Sequence, residues 1–283
     1  MARSRYVPTD DQQDRLATWL PSARVVADHS WGLVERVVWE IECPTGRFIA
    51  KIGSPRDHHM AREIHAHLNW LTPWTSRGLA PELVHHDLEA TMLVTRFLPG
   101  ELVLGTEHAD DPDVFEQAGA LLALLHDQPG AVDDDHEARE NRKSLAWLDR
   151  EHRINPDDVV RLRDQIGRWP TPPTALVPTH GDWQPRNWLI HRGQVRVIDF
   201  GRAQLQPTMA DLARIEVQDF ARNPDLERAF LRGYGRDPRT PDAWHRIRVR
   251  NAIGTAAWAH TVGATDFEEQ GLRMVADVLA VCD

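Results

Sequence analysis

Two short motifs with chemically capable side chains lie close together in the second half of the sequence. HGD occupies residues 180–182, Asn187 follows Asp182 by five positions, and DFG occupies residues 199–201. A carboxylate such as Asp182 can accept or orient the proton of an attacking hydroxyl. Asn187 and Asp199 carry the oxygen ligands that a hard cation such as Mg²⁺ prefers. This segment therefore predicts a magnesium site beside a group that handles a hydroxyl proton.

The order and spacing of these residues match the H-x-D-x-x-x-x-N and D-F-G motifs of kinases. Phosphoryl transfer leaves little covalent work to the protein, so positioning and charge compensation provide most of the catalysis. We therefore expect Asp182 to be the catalytic base, and Asn187 and Asp199 to hold the metal. Each motif alone occurs often by chance, and an isolated Asp next to Gly is usually a turn residue.

Lys51 stands out because the chain has 33 basic residues and only Lys51 and Lys143 are lysine. It lies in the apolar stretch FIAKI, where a kinase needs an ammonium group to hold the nucleotide phosphates. Glu63, on the helix predicted to follow, is the expected ion-pair partner. The alternative is that Lys51 is a solubilising charge on an edge strand and Glu63 a solvated helix residue. We also expect backbone groups near Arg96 and Leu98 to bind adenine, although an ordinary strand ending in a Pro-Gly turn fits that stretch as well.

The elements that must position these side chains fall into two regions. Alternating and apolar patterns predict strands at 24–30, 35–43, 47–53, 82–86 and 91–98, around one helix opened by Pro55. In that helix Met60, Ile64, Leu68 and Leu71 recur at helical spacing, which predicts one inward face. After Gly100 helical patterns dominate, at 113–127, 141–153, 157–169 and beyond residue 209, interrupted by a β-rich segment at 175–200.

We therefore predict an α+β protein with a bilobal protein-kinase-like fold. Residues 1–98 form a small nucleotide-binding lobe with an antiparallel sheet and one helix. Residues 99–283 form a larger, mainly helical lobe for catalysis and substrate binding.

On these motifs the sequence resembles the aminoglycoside phosphotransferase and choline-kinase-like superfamily, which is related to protein kinases. HGD in place of HRD, Pro185 before the metal-binding Asn, and Asp211-Leu212-Ala213 after DFG are typical of that branch. The resemblance implies ATP or GTP with Mg²⁺ as the phosphate donor, and a small hydroxylated acceptor. The expected phosphate-covering loop, near Ser30–Gly32, departs from the family in having a single glycine.

Composition restricts the partners of this chain. Its net charge of −10 argues against nucleic acid, which needs clustered positive charge. Its two cysteines exclude a disulfide framework, and its short apolar runs predict neither a membrane span nor a secretory signal. We therefore expect a cytoplasmic protein that binds a nucleoside triphosphate and a small molecule.

Three functions fit these observations. The first is phosphorylation of a cationic antibiotic, an aminoglycoside or a basic peptide of the capreomycin and viomycin type, which would confer resistance. The acid-rich stretches 107–116, 133–140 and 268–269 favour it, although such runs are usually solvated faces. The second is a metabolic kinase acting on choline, a sugar or an amino alcohol. The third is a binding module without transfer activity, which the complete set of catalytic residue types disfavours.

Overall fold

The computed structural model describes residues 6–30 and 35–280, which form two compact units. The first unit comprises Met1–Gln128, Pro178–Gln204 and Arg214–Arg236, and the second comprises Pro129–Val177, Leu205–Ala213 and Asp237–Asp283. All the side chains that the sequence assigns to the site belong to the first unit. The lobe boundary at residue 98 stays a prediction.

The strands and helices of the described residues have the following bounds. The strands are β1 (Arg24–Asp28), β2 (Arg36–Cys43), β3 (Gly46–Gly53), β4 (Leu83–Asp87), β5 (Met92–Arg96), β6 (Glu101–Leu102), β7 (Ala131–Asp133), β8 (Thr174–Thr179), β9 (Trp188–His191), β10 (Gln194–Val197) and β11 (Gln204–Gln206). The helices are α1 (Asp10–Trp19), α2 (His58–Asn69), α3 (Thr72–Thr75), α4 (Pro112–His126), α5 (His136–Leu148), α6 (Pro156–Arg168), α7 (Leu212–Ile215), α8 (Pro224–Tyr234), α9 (Pro241–Val262) and α10 (Thr265–Ala280).

The first unit contains a five-stranded antiparallel sheet in the order β1-β2-β3-β5-β4. Successive side chains of a strand point to opposite faces, so strands at the centre of this sheet can contribute side chains to a buried cluster on each face. Ala50, Ile52 and Met92 join Leu16 of α1 in one buried cluster. Leu93 packs instead with residues of α2 in the other. Lys51 lies between Ala50 and Ile52 and pairs with Leu93, and this alternation turns it toward α2.

Helix α1 is an element that the sequence analysis did not predict. A capping box starts it: the Thr9 hydroxyl accepts from the Gln12 backbone N–H, and the Gln12 side chain accepts from the Thr9 N–H. Gln12 also donates to the backbone oxygens of Gly53 and Ala90, which ties the helix to the sheet. The sequence of α1 shows no clear apolar face, because only Gln12 and Leu16 are buried within it.

Helix α2 begins later than predicted and buries a narrower face. Asp57, not Pro55, is its N-cap, and the Asp57 carboxylate accepts from the His59 N–H. Met60 and Ile64 are buried as expected, but Leu68 is 56% exposed. The expectation of four inward residues was therefore wrong at Leu68, because the apolar contact of α2 is with β4 and β5 near its first two turns.

Two further contacts organise the first unit. Strands β10, β9 and β6 form a second antiparallel sheet. Helices α4 and α8 approach closely at two glycines: a Cβ on Gly119 would lie 2.1 Å from the Phe230 oxygen, and a Cβ on Gly233 would lie 1.8 Å from the Glu116 oxygen. No larger residue fits at either position without moving a helix backbone.

The second unit is held by helix packing and a buried ion-pair network. A Cβ on Gly271 of α10 would lie 2.4 Å from the Ala256 nitrogen of α9, so these helices are in close contact. Glu137 of α5 accepts from Arg246 at 2.9 Å and from Arg250 at 2.7 Å, both in α9. Among the described residues no helix has the length and apolar composition that a bilayer crossing requires.

Candidate active site

Lys51 connects two carboxylates that are far apart in the sequence. Its Nζ lies 2.6 Å from Glu63 Oε1 and 3.0 Å from Asp199 Oδ1. The ion pair expected between β3 and α2 is therefore present, and the DFG aspartate joins it. Burial lowers the pKa of Lys51, but the charges of Asp199 and Glu63 outweigh burial and raise it. Lys51 also holds the pKa of Asp199 well below its usual range. Lys51 and Asp199 are therefore both charged at neutral pH.

The backbone at Asp199 is held in an unusual conformation. Its φ of 66° is in the left-handed region, which residues other than glycine rarely adopt. A costly backbone conformation persists only where the surroundings impose it, and such residues cluster at functional sites. Gly181, next to Asp182, also has a positive φ, and a Cβ there would lie 2.2 Å from the Arg202 oxygen. The two motif segments are thus in direct backbone contact.

Asp182 is buried, and four side chains surround its carboxylate. Oδ1 accepts from Gln184 Nε2 at 2.5 Å and lies 3.2 Å from Arg214 Nε. Oδ2 accepts from Arg186 Nη2 at 2.5 Å and from Asn187 Nδ2 at 3.1 Å. Burial raises the pKa of Asp182, but the arginines outweigh it and the pKa lies below the ordinary value. The carboxylate is therefore ionised and better suited to orient a hydroxyl than to act as a strong base.

A cluster of aromatic rings packs around the HGD and DFG motifs. His180 is fully buried, and its Nε2 is hydrogen-bonded to the Ile198 oxygen at 3.1 Å, next to Asp199. The Phe200 ring lies 5.3 Å from the ring of His180 and 5.3 Å from that of His67 on α2. Burial, followed by the charge of Lys51, lowers the pKa of His67 to about 3, so this ring is neutral. Trp183 is also fully buried in this cluster and belongs to the core.

The side-chain oxygen atoms of Asn187 and Asp199 are suitable ligands for a magnesium ion. The Asn187 amide nitrogen donates to the backbone oxygen and to Oδ2 of Asp182, which leaves its amide oxygen available. The Asn187 backbone oxygen accepts from Ile198 N–H at 3.0 Å, directly before Asp199. No group of three His, Cys, Asp or Glu side chains able to hold a metal occurs among the described residues. Two protein oxygens are nevertheless typical of Mg²⁺, which completes its shell with water and phosphate oxygens.

The expected adenine contact lies at the end of β5. The Arg96 N–H already donates to the Glu82 oxygen at 2.9 Å, so this amide is not available to a base. Leu98 lies just beyond the strand, and its backbone groups make no hydrogen bond with another described residue. The Gly32 position of the expected phosphate-covering loop lies outside the described residues.

Sequence reasoning missed the arginines around Asp182. Arg186 lies inside the HGD-to-Asn187 loop, Arg202 directly follows DFG, and Arg214 lies in α7. For Arg186 and Arg202, closeness in sequence to the HGD and DFG motifs could have indicated a place in the site. With 31 arginines in the chain, however, none stands out by residue type, and Arg214 is far from both motifs in sequence.

Comparisons with known proteins agree with this geometry. A family model described as the phosphotransferase enzyme family, APH, matches residues 26–249. A comparison with curated proteins found no match.

Solved structures with the same fold are distant in sequence. A macrolide 2′-phosphotransferase, MphH, from Brachybacterium faecium is 18% identical with a TM-score of 0.64, covering 94% of this chain and 97% of that one. A thermostable mutant of the aminoglycoside phosphotransferase APH(4)-Ia, solved with ADP and hygromycin B, is 12% identical with a TM-score of 0.70, covering 94% and 97%. The choline kinase LicA from Streptococcus pneumoniae is 15% identical with a TM-score of 0.66, covering 95% and 97%. The predicted α+β, kinase-like fold and the superfamily resemblance are confirmed.

Proposed function

Since this chain belongs to the phosphotransferase enzyme family and transfers phosphate to an alcohol group, we propose that its donor is a magnesium-bound ATP or GTP and its acceptor a small hydroxylated molecule. The observation that carries this proposal is Lys51 bound at once to Glu63 and Asp199. This contact joins β3, α2 and the DFG segment in the arrangement that nucleotide-dependent phosphoryl transfer requires.

On the donor side, we assign Lys51 to the nucleotide phosphates and Glu63 to holding Lys51 in place. Asn187 and Asp199 would hold Mg²⁺, which neutralises charge on the phosphate oxygens. Backbone groups at Leu98, and the carbonyl of Arg96, would bind the adenine or guanine ring. The solved relatives with ADP or AMP-PNP bound support a nucleotide donor.

On the acceptor side, Asp182 accepts the hydrogen bond of the attacking hydroxyl and directs its oxygen toward the terminal phosphorus. Because the pKa of Asp182 is low, we expect the proton to reach the carboxylate late, when the new bond is largely formed. One donor, Gln184 or Arg186, must move aside to make room for the hydroxyl.

Two acceptor classes were expected from the sequence. One is a cationic antibiotic, whose phosphorylation would confer resistance. The other is a metabolic alcohol such as choline, a sugar or an amino alcohol. In the first unit, two of the five acidic residues in the 107–116 stretch are paired with arginines. Asp110 is paired with Arg222, and Glu116 with Arg232 at 2.8 Å. The carboxylate expected beside the attacking hydroxyl, Asp182, is itself contacted by Arg186 and Arg214. These observations favour the metabolic class, at its sugar-like end, over a polycationic antibiotic.

Turnover measurements test this function. The protein with Mg²⁺ and ATP or GTP is offered aminoglycosides, macrolides, capreomycin, choline and a panel of sugars and polyols, and release of nucleoside diphosphate is measured. We expect acceptor-dependent release that EDTA abolishes. Failure to bind either nucleotide in the presence of Mg²⁺ would refute the proposal, and turnover confined to polycationic antibiotics would refute the acceptor class.

A further inference from the structure

Three residues on one face of α2 are directed at the DFG segment. His59, Glu63 and His67 follow one another at intervals of four positions, which places their side chains one above another along the helix. The middle residue, Glu63, reaches Asp199 through Lys51, by contacts of 2.6 and 3.0 Å. The two histidines on either side of Glu63 contact the other two residues of DFG.

Each histidine makes a different kind of contact. The His67 ring lies 5.3 Å from the ring of Phe200 and nearly perpendicular to it. His59 instead makes a hydrogen bond, with its Nδ1 2.7 Å from the backbone oxygen of Gly201. A carbonyl oxygen can only accept, so Nδ1 of His59 carries the hydrogen. The bond therefore runs from the α2 side chain to the DFG backbone.

His59 also packs tightly against Gly201. A Cβ on Gly201 would lie 3.3 Å from the Cβ of His59, 3.6 Å from Oδ1 of Asp199 and 3.7 Å from Nη1 of Arg36. The side chain of His59 and the carboxylate of Asp199 thus lie beside the same small space. A shift of His59 relative to Gly201 would change the surroundings of that carboxylate.

The donor of this hydrogen bond is itself held in place. The backbone N–H of His59 donates to Oδ1 of Asp57 at 3.0 Å, and the Asp57 carboxylate accepts two hydrogen bonds from Arg36. The side chains of Arg36 and Asp57 are only 10% and 7% exposed. A donor fixed in this way can determine the position of its acceptor.

The backbone of DFG needs contacts of this kind, because Asp199 has a φ of 66° that residues other than glycine rarely adopt. The residue before Asp199 is bonded to the side chain of His180 and to the backbone of Asn187. After Asp199, within the described part of the chain, the bond from His59 is the one hydrogen bond that another element makes to the DFG backbone. Without it, the strained residue would be held by the backbone from one side only.

We propose that His59 is a positioning residue for phosphoryl transfer: its hydrogen bond to the Gly201 oxygen keeps Asp199 in the backbone conformation in which the carboxylate can hold Mg²⁺. This inference rests on the proposed function and gives His59 no contact with a substrate. Helix α2 then acts on the site twice, through Glu63 on Lys51 and through His59 on DFG. Loss of the His59 bond makes the left-handed conformation of Asp199 less favourable, and the metal is held less tightly.

Metal-dependent nucleotide binding measures this effect without an acceptor. AMP-PNP is titrated by calorimetry in excess Mg²⁺ and again in EDTA, and the ratio of the two affinities is the gain that the metal provides. In His59→Ala we expect this gain to fall about 3- to 10-fold, as expected for the loss of one hydrogen bond. The affinity in EDTA should change less than about 2-fold, because Lys51 and Glu63 are intact.

A conservative variant separates the hydrogen bond from the ring. The amide nitrogen of asparagine and Nδ1 of histidine are both attached to Cγ, so His59→Asn can still donate to the Gly201 oxygen. Its gain from the metal should stay within about 2-fold of the parent. The control is His65→Ala, since His65 is exposed on α2 and lies two positions from Glu63, on a different face. Urea unfolding of each variant shows that it is folded under the conditions of the titration.

The direction of the hydrogen bond can be measured in the parent protein. Burial lowers the pKa of His59, so its ring is neutral at about pH 8. Long-range ¹⁵N–¹H NMR distinguishes the two neutral tautomers of histidine, and the His59 signals are those that His59→Asn lacks. We expect the hydrogen on Nδ1. A hydrogen on Nε2 would contradict the inference, and this measurement stands even if His59→Ala does not fold.

Three further outcomes would overturn the inference. An unchanged gain from Mg²⁺ in His59→Ala would mean that DFG is held without His59. Equal losses of affinity in Mg²⁺ and in EDTA would mean that His59 acts on α2, and through it on Lys51, but not on the metal ligand. A loss in His59→Asn as large as that in His59→Ala would mean that the ring matters and the hydrogen bond does not. If the parent binds no nucleotide in the presence of Mg²⁺, it is the proposed function that fails.

Discussion

At the scale of single residues, the site is defined by how each charge is compensated. Lys51 has two carboxylates, whereas Asp182 has two arginine contacts and two amide contacts. The first arrangement leaves a negative excess on the donor side, which suits a magnesium ion. The second satisfies both carboxylate oxygens of Asp182, and its arginines hold the pKa of Asp182 below the ordinary value.

Replacement of Asp182 tests its role. Asp182→Asn should lower kcat about 100-fold or more, because the hydroxyl loses its oriented acceptor, while the affinity for Mg²⁺-nucleotide changes little. Steady-state kinetics and nucleotide titration measure the two effects. The control is Asp134→Asn, since Asp134 is exposed and outside the site. A kcat within about 3-fold of the parent would remove Asp182 from the chemistry.

A buried carboxylate outside the proposed chemistry gives a pH-dependent prediction. Asp219 is 8% exposed, and its Oδ2 has no hydrogen-bond partner among the described residues. Burial, only partly offset by Arg222 at 3.8 Å, raises the pKa of Asp219 from 3.8 to about 6. The folded state thus holds this proton more tightly than the unfolded state, and stability falls as pH rises from about 4 to 6.

Asp219→Asn should remove the loss of stability that ionisation of Asp219 causes as pH rises. Relative to the parent, its free energy of unfolding should be unchanged near pH 4 and higher above pH 6, by about 1–2 kcal/mol after solvent screening. Urea unfolding at several pH values measures the difference. A difference that does not vary with pH would show that Asp219 is ordinarily ionised.

At the scale of elements, the first turn of α2 is fixed at three points. Asp57 caps the helix and accepts from Arg36 of β2 at 2.6 and 2.8 Å. The next residue but one, His59, has its Nδ1 2.7 Å from the backbone oxygen of Gly201, the last residue of DFG. A Cβ on Gly53 would lie 2.6 Å from the Asp57 carboxylate, so β3 must carry glycine there. These contacts set the position of α2 and with it that of Glu63.

Arg36→Gln should therefore reduce both stability and activity. It leaves the buried Asp57 carboxylate without its paired charge, which costs about 3–5 kcal/mol, and it should lower kcat by loosening Lys51 through Glu63. The control is Arg24→Gln, because Arg24 forms an exposed cross-strand pair with Glu42 that contributes about 0–1 kcal/mol. Urea unfolding and steady-state kinetics measure both variants, and equal losses of stability would contradict the anchoring role.

The Arg36–Asp57 ion pair also predicts how the free energy of unfolding changes at low pH. Burial raises the pKa of Asp57, but Arg36 outweighs burial and the pKa lies below 3.8. Its contribution is therefore present above about pH 3.8 and is lost as pH falls below the folded-state value. The stability difference between Arg36→Gln and the parent should accordingly shrink below about pH 4.

At the scale of the whole molecule, the two compact units differ in what they contribute. The first holds the proposed nucleotide contacts, the proposed metal ligands, and Asp182 with the arginines that contact it. The second contains α5, α6, α9 and α10, with the buried Glu137–Arg246–Arg250 network as its electrostatic centre. A donor nucleotide should therefore stabilise the first unit most directly.

Hydrogen exchange tests this division of roles. Saturation with Mg²⁺ and AMP-PNP should slow amide exchange about 10- to 100-fold in residues 47–53, 58–69 and 180–201, as expected for a ligand well above its dissociation constant. Residues 241–262 and 265–280 of the second unit should change less. Uniform protection of all these segments would show that the two units respond as one.

Much of the catalytic framework was predictable because it is local in sequence. A loop from Asp182 to Asn187 and a strand leading to Asp199 place three oxygen-bearing side chains within twenty residues. The alternation of β3 also assigns Lys51 to the face opposite Ala50 and Ile52. Short spacing and fixed periodicity leave few arrangements open, so these residue types and positions determined the family, the fold and the expected chemistry.

Only the tertiary structure decided how charges are paired across long separations. Some of the acidic residues that suggested a cationic acceptor have distant arginine partners, such as Asp110 with Arg222 and Glu116 with Arg232, 116 positions away. Arg214 reaches Asp182 from α7, and Leu68 is exposed although its helical period predicted burial. The charges around a side chain depend on every neighbour that folding brings near, and spacing along the sequence does not reveal which distant residues those are.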